Sequence, residues 1–446
     1  MAIPVKTAGT LPVPTESPEA GSQHAYLPFP ITRWGLVAVL LGAPLAFGAV
    51  QPWGWAALLI ASFALLMLWT IGSVRQGEVK IHVSPIYLPA TLFLFLCLAQ
   101  LLGGVTLDAY ATRESILKLV MVLVFFFVAG QVFAGAPEAA WRALGLAVML
   151  YAFALGLFAI LQFFSSHNLI YWRVESEGYT FGPYVNHNDY AGLMEMLIPI
   201  ATAYVLTRPR TDPRRLLLGF SLVVPVASLL LSGSRGGFIS LLVEAVVLGA
   251  VLWRRPGDAA ARMVPMLPIG LTAASLIFFW MAPGTVMRRL GGLANLRRTT
   301  EVTLGQREAA AGDTLRIFRD HPWMGIGLGS FETVFPQYRT FPTDLTWAYA
   351  HNDYAEALAE TGIAGGVLIA FALLFFFRQV FRSLSGRHWE QAEWVKLGAA
   401  LGCCGLLVHS LVDFNLHIPA NAVWFAVCVA LAAPPQPAIA AKARGI

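Results

Sequence analysis

About twelve times the chain repeats one feature, a mostly apolar run of the length a helix needs to cross a hydrocarbon layer, about 20 residues. The runs are centred near residues 42, 63, 93, 125, 152, 198, 223, 245, 272, 372, 404 and 426. No water reaches the backbone at the centre of a bilayer, so a spanning segment must satisfy its own polar groups as a helix or in a closed barrel. Unbroken runs of this length exclude the short alternating strands of a barrel. Composition agrees: 57% of the 446 residues are hydrophobic and 12% charged, where a soluble chain carries about a quarter charged. The expected fold is an all-α integral membrane protein of about 12 transmembrane helices.

Basic side chains accumulate in cytoplasmic connections. With the N-terminus in the cytoplasm, alternate connections gather 18 of the 30 basic residues, including Arg75, Lys80, Arg208, Arg214, Arg254, Arg378 and Lys396. The short connections opposite hold only Arg113, Arg173 and Arg235. Both termini are therefore expected in the cytoplasm. The expected divisions are a disordered tail (1–32), a first transmembrane block of about nine helices (33–282), one long extracytoplasmic loop carrying short helices (283–350), a second block of about three helices (351–434) and a cytoplasmic tail (435–446). Residues 1–30 lack the apolar core of a signal peptide. Cys97, Cys403, Cys404 and Cys428 fall inside apolar runs and read as buried packing, with no disulfide framework. The net charge of +5 is spread over both faces, and no nucleic-acid partner is expected.

Against this background "AYAHNDYAEALAETGIAGG" (348–366) stands out, because it places His351, Asp353, Glu356 and Glu360 just before a span. "HNDYA" also occurs at 187–191. On a helix, Asn352, Glu356 and Glu360 share one stripe, and Asn188, Gly192 and Glu195 align similarly. Ionisable groups at membrane depth mark functional sites, although Asn and Asp also cap helices where they enter the bilayer. His351 has the chemistry to take a proton from a hydroxyl near neutral pH, with Asp353 or Glu356 as the carboxylate that orients it.

The long loop contains eight arginines, and arginine grips phosphate in bidentate fashion. "QREAAAGDTLRIFRDHPWMGIGLGSF" (306–331) predicts a helix from about 306 to 319, ended by His321-Pro322 and a glycine-rich turn. Arg307, Arg316 and Arg319 either face solvent or converge on an anion. "SGSRGG" (232–237) makes a tight outer turn, where Arg235 either meets phosphate or anchors a span end. Tyr171, Trp172, Arg173, Tyr179, Phe181 and Tyr184 form an aromatic connection, either an interfacial belt or a sugar-stacking surface. In "HSLVDFNLHIPAN" (409–421), Asp413 has an outer arginine as its expected partner. The histidines show no metal-ligand spacing, so no metal and no cofactor is expected.

An "SxSRG" turn, an arginine fourteen residues before "HPxxGxGxGxF", and "HNxxxExLxExGxxG" opening a span together resemble the O-antigen ligase and polymerase family of bacterial membrane glycosyltransferases. The resemblance covers roughly residues 180 to 420. It implies a glycan donor linked to undecaprenyl pyrophosphate, an acceptor hydroxyl on a lipid A core sugar or another glycan, and a periplasmic site in the inner membrane. By position His351 matches the family's essential histidine, with Glu356 beside it. Arg235 and Arg307 match its donor-binding arginines, and Arg316 is the third candidate for the pyrophosphate. Asn188, Asn352, Asp353, His321 and Arg173 are expected in support. Ala311 stands where relatives often carry tryptophan.

The chemistry is coherent. Outside the cytoplasm a glycosyl transfer must draw on a bond activated beforehand, and as pyrophosphate leaves, preorganised arginines stabilise the growing charge without nucleotide or metal. Attack opposite the leaving group inverts the anomeric centre. Two other readings stand beside the ligase: a polymerase using the same donor, and a transporter built around the repeated "HNDYA".

Overall fold

The structure is a computed structural model, and it describes residues 28–176, 178–209, 211–254, 304–343, 346–386 and 389–442. The expected span near 272, most of the N-terminal tail and Arg288, Arg289, Arg297 and Arg298 of the long loop lie outside the described residues.

The described chain is a helical bundle. Its first part comprises α1 (Pro28–Gly42), α2 (Pro52–Arg75), α3 (Tyr87–Leu102), α4 (Ala109–Phe133), α5 (Glu138–Ser165), α6 (His187–Leu206), α7 (Arg214–Ser221), α8 (Val223–Ser232) and α9 (Arg235–Trp253). After the undescribed stretch come α10 (Leu304–Asp320), the single turn α11 (Phe331–Val334), α12 (Asp353–Ser383), α13 (Gln391–His409) and α14 (Pro419–Ala432). Among the described residues six helices are long and apolar enough to cross a membrane: α2, α4, α5, the α7–α8 pair, α9 and α12. Three shorter apolar helices join them. α10 falls where a helix is expected from the sequence, and α1 begins five residues inside the segment expected as a tail.

One feature departs from the all-α expectation. β1 (Glu78–Val83), between α2 and α3, pairs antiparallel with β2 (Gln436–Lys442), so most of the expected C-terminal tail is a strand. Gln131 holds this corner, accepting from the His82 N–H and donating to the His82 carbonyl, both at 2.8 Å. β1 alternates Val79, Ile81 and Val83 with polar residues, a pattern that suits a strand, but its partner lies more than 350 residues away.

α6 forms the centre of the bundle. It is buried from His187 to Val205, which its apolar character on every side requires. α13 lies against it with almost no gap: a Cβ on Gly402 would stand 2.7 Å from the Met196 Cα, so only glycine permits this approach.

α12 has 31 residues, more than a span needs. It is broken at Gly362, where φ is +63°. The groups that the break frees are met by the glycine-rich turn after α10. Ile326 and Gly327 N–H donate to the carbonyls of Ala359 and Glu360, both at 3.0 Å, while Ile363 and Ala364 N–H donate to Pro322 and Trp323 at 2.7 and 3.2 Å. Gln100 of α3 adds a donor to Glu360 O at 2.7 Å. Gly325, Gly327 and Gly329 all have positive φ, and a Cβ on Gly325 would strike the Glu360 carbonyl carbon at 2.3 Å. Two sequence motifs thus interlock through their backbones. The break leaves residues 363–383 as a span-length helix and residues 353–361 as a polar arm ahead of it.

The bundle has two chemically distinct ends. At one, β1 meets Gln131, and Gln379 meets Ser84 just after β1 and Pro434 just before β2. At the other meet the turn before α9, the turn between α13 and α14, and the N-terminal ends of α6 and α12. A Cβ on Gly236 would lie 2.3 Å from the His409 ring, and one on Gly192 would lie 2.0 Å from the Asn415 amide oxygen.

Candidate active site

The polar residues at this second end sort themselves around the α13–α14 turn. Asp413 is 1% exposed and stands between two candidates named from the sequence. Arg307 Nη1 donates to Asp413 Oδ2 at 3.3 Å and to the Val412 carbonyl at 2.9 Å. His351 Nδ1 lies 3.5 Å from Asp413 Oδ1, close enough for electrostatic steering but too long for a tight hydrogen bond. Burial works to raise the Asp413 pKa, yet His351 and Arg307 outweigh it and hold the carboxyl well below the usual range. Asp413 is therefore an anion that both groups share.

His351 is placed by its backbone and by rings. The N-cap of α12 is Asn352, whose side chain accepts from Tyr354 and Ala355 N–H at 3.1 and 2.9 Å. His351 therefore lies outside the helix, with φ +53°, a left-handed conformation costly for a residue with a Cβ. Its ring packs edge-on against Trp347 and Phe414, at centroid distances of 5.3 and 4.8 Å. Trp347 belongs to a small apolar cluster with Phe331, Phe335, Ala310 and Ile317, so α10, which carries Arg307, and His351 share one packed base. The His351 side chain is 13% exposed, and Nε2 makes no hydrogen bond among the described residues.

The carboxylates expected beside His351 lie elsewhere. Asp353 Oδ1 is 2.9 Å from His417 Nδ1 and Glu356 Oε1 is 3.1 Å from His417 Nε2, and neither meets His351. Glu356 also accepts the Ala350 N–H at 2.6 Å, and Tyr349 stacks on Phe414 and His417. Burial pushes the His417 pKa down, but Glu356 and Asp353 together raise it well above the ordinary value, so the imidazole is a cation between two carboxylates. The ligand atoms of Glu356, Glu360 and His417 come within 4.8 Å of one another, a spacing a metal could use. Those atoms already have partners: both His417 nitrogens face carboxylates, and Glu360 Oε1 accepts the Phe331 N–H at 3.1 Å.

Arg235 is the exposed first residue of α9, whose N-cap Ser234 accepts the Gly237 N–H at 3.1 Å. Its neighbour Gly236 packs on His409, four residues before Asp413, so the Arg235 turn belongs to this end of the bundle. Arg316 does not join Arg307. Nine residues separate them, about two and a half turns, so they leave opposite faces of α10, and Arg316 pairs with Asp313 at 3.3 Å. Asn188 is buried inside α6, capped by Asn186, and Arg173 is exposed in the aromatic connection. His321 ends α10, its N–H bonded to Ile317 and its carbonyl accepting from Gly325. None of these last three is among the groups around Asp413.

An arginine and a histidine thus share one buried carboxylate, on segments joined by the interlocked glycine motifs. Residues 218–370 match the model of the O-antigen ligase family. Comparison with curated proteins gives no match. The matched stretch includes Arg235, Arg307, His351 and Glu356. Asp413, His417 and His409 lie beyond it, and the structure brings them to the family segment. The arginine partner expected for Asp413 is Arg307, whereas the spacing of His409 and His417 along a short turn between two apolar runs carried nothing to assign theirs.

Proposed function

We propose that this chain is a glycosyltransferase of the cytoplasmic membrane that moves a glycan from undecaprenyl pyrophosphate to an acceptor hydroxyl, a lipid A core sugar, on the periplasmic face. The observation that carries the reading is Asp413, one carboxylate within 3.5 Å of both a candidate base and a candidate phosphate-binding cation. His351 Nε2 takes the acceptor proton. The freed oxygen pair forms the new bond to the anomeric carbon from the side opposite the pyrophosphate, and the old carbon–oxygen pair leaves on the phosphate, inverting the centre. Asp413 stabilises the imidazolium that results, a proton transfer worth about 10²- to 10⁴-fold. Arg307 spends one nitrogen, Nη1, on Asp413 and Val412, which leaves its Nε and Nη2 donors for the departing phosphates. Arg235 supplies the second cation, and Arg316 is assigned no phosphate contact because it leaves the opposite face. Glu356 acts through His417, fixing the turn that carries Asp413.

The end bearing Arg75, Arg254, Arg378 and Arg382 is the cytoplasmic one by the charge rule, which puts His351 outside with both termini inside. About 12 spans then require one crossing within the residues not described. The test is a purified, reconstituted protein given undecaprenyl-pyrophosphate glycan without metal or nucleotide. Transfer is expected, and its failure under those conditions rejects the reading. Offering a lipid A core and a second lipid-linked glycan side by side separates ligase from polymerase by which one is extended.

A further inference from the structure

His409 has no role in the chemistry above, yet it is buried at the junction between the two turns that carry the proposed machinery. Its Nδ1 lies 2.7 Å from Glu195 Oε1, and both side chains are at most 1% exposed. Its Nε2 lies 3.4 Å from Ser234 Oγ. The donors and acceptors can be assigned along this line. A carboxylate only accepts, so Nδ1 carries the proton and donates to Glu195. Nε2 meets the Ser234 hydroxyl, whose oxygen also accepts the Gly237 N–H at 3.1 Å as the N-cap of α9. Gly236 lies flat on the same ring, where a Cβ would stand 2.3 Å away. At its other end His409 begins the turn of Asp413, its carbonyl accepting the Val412 N–H at 2.9 Å.

We infer that His409 is a positioning residue for the donor: it ties the turn that presents Arg235 to the turn that presents Asp413, the carboxylate Arg307 and His351 share. Three tied points, the ring against Gly236, Nε2 on Ser234 and Nδ1 on α6, fix where the first residue of α9 starts. Without the ring the Ser234 hydroxyl turns freely and the Arg235 backbone loses its stop. The cost falls on donor capture and not on proton transfer, because the ring's polar contacts are Ser234 and Glu195, while the bond that starts the Asp413 turn is made by the His409 backbone. This inference rests on the reading of Arg235 as a donor-binding residue.

The test uses the full chain in nanodiscs with three variants, His409→Asn, Arg235→Ala and the double variant. Asparagine can keep the bond to Glu195 while losing the one to Ser234, so H409N leaves the helix packing in place. H409N is expected to raise the donor KM about tenfold, the size of effect a small misplacement brings, with kcat within about threefold. In the R235A background it should add nothing. Hydrogen exchange at the amides of residues 236–238 should quicken about tenfold in H409N. Unchanged exchange overturns the inference, as does a KM effect that multiplies with that of R235A. Quickened exchange together with an R235A variant of normal donor KM keeps the positioning role and instead removes Arg235 from the donor site.

Discussion

The two HNDYA copies have the same five residues and different structures, and the difference comes from the residue in front of each. Asn186 precedes the first copy and caps α6, so His187 is the first helical residue, buried against the Tyr179 ring at 4.6 Å. Ala350 precedes the second, and alanine cannot cap. The cap passes to Asn352, the helix starts two residues later in the motif, and His351 is left outside in a left-handed conformation with one nitrogen open. Local capping chemistry thus decides which histidine is packed and which is presented.

The largest expected effect on that comparison is in activity. His351→Asn is the cleaner substitution, because asparagine tolerates the left-handed backbone yet has no basic nitrogen. Transfer should fall about 10³-fold in H351N, while H187N should stay within about fivefold of wild type. Equal losses in the two would end the distinction. Next, Asp413→Asn should cost about 10²-fold in kcat, whereas Asp189→Asn in the first copy should change kcat by less than about threefold, both read in the same assay.

Stability separates the copies further. The second copy is fastened by a partly exposed cation, His417, between Asp353 and Glu356, whereas Asp189 at the matching position of the first copy has no charged partner among the described residues. His417→Leu strands the carboxylates and should destabilise the protein by about 3 kcal/mol, measured by thermal unfolding in detergent. The pH dependence has a definite sign. Since folding raises the His417 pKa, its contribution is fully present below the unfolded value of about 6.5 and disappears as pH climbs through the higher folded value. Wild type should therefore lose thermal stability on the alkaline side more steeply than H417L. Asp413 works the opposite way: its contribution is present above about pH 4 and is lost only in strong acid. The smallest effect belongs to the caps. Asn186→Ala should cost about 1 kcal/mol. Asn352→Ala should cost slightly more, because Asn352 also donates to the Leu411 carbonyl at 3.0 Å, and it alone should lower kcat.

How much of this was legible depended on whether the controlling interaction was local. Spans, the α10 helix and the stops after it follow from apolar length, helix propensity and Pro or Gly punctuation within a few residues. The opposite faces of Arg307 and Arg316 were also in the sequence, as their nine-residue separation. The capping difference was present as Asn186 against Ala350. By contrast, the C-terminal strand, the pairing of Glu356 with His417 instead of His351, and the fit of the 322–327 turn into the Gly362 break join segments far apart in the chain, where spacing carries no signal.

Taken alone, then, the sequence determined that this chain is a helical membrane protein, which histidines and arginines were available, and that they resemble one family. These follow from hydrophobicity and residue type, which act position by position. Only the tertiary structure decided that Asp413 is the carboxylate between Arg307 and His351, and that His409 braces the turn of Arg235. A buried charge is settled by whichever opposite charge packing brings within a few ångströms, and that choice is made by the whole bundle.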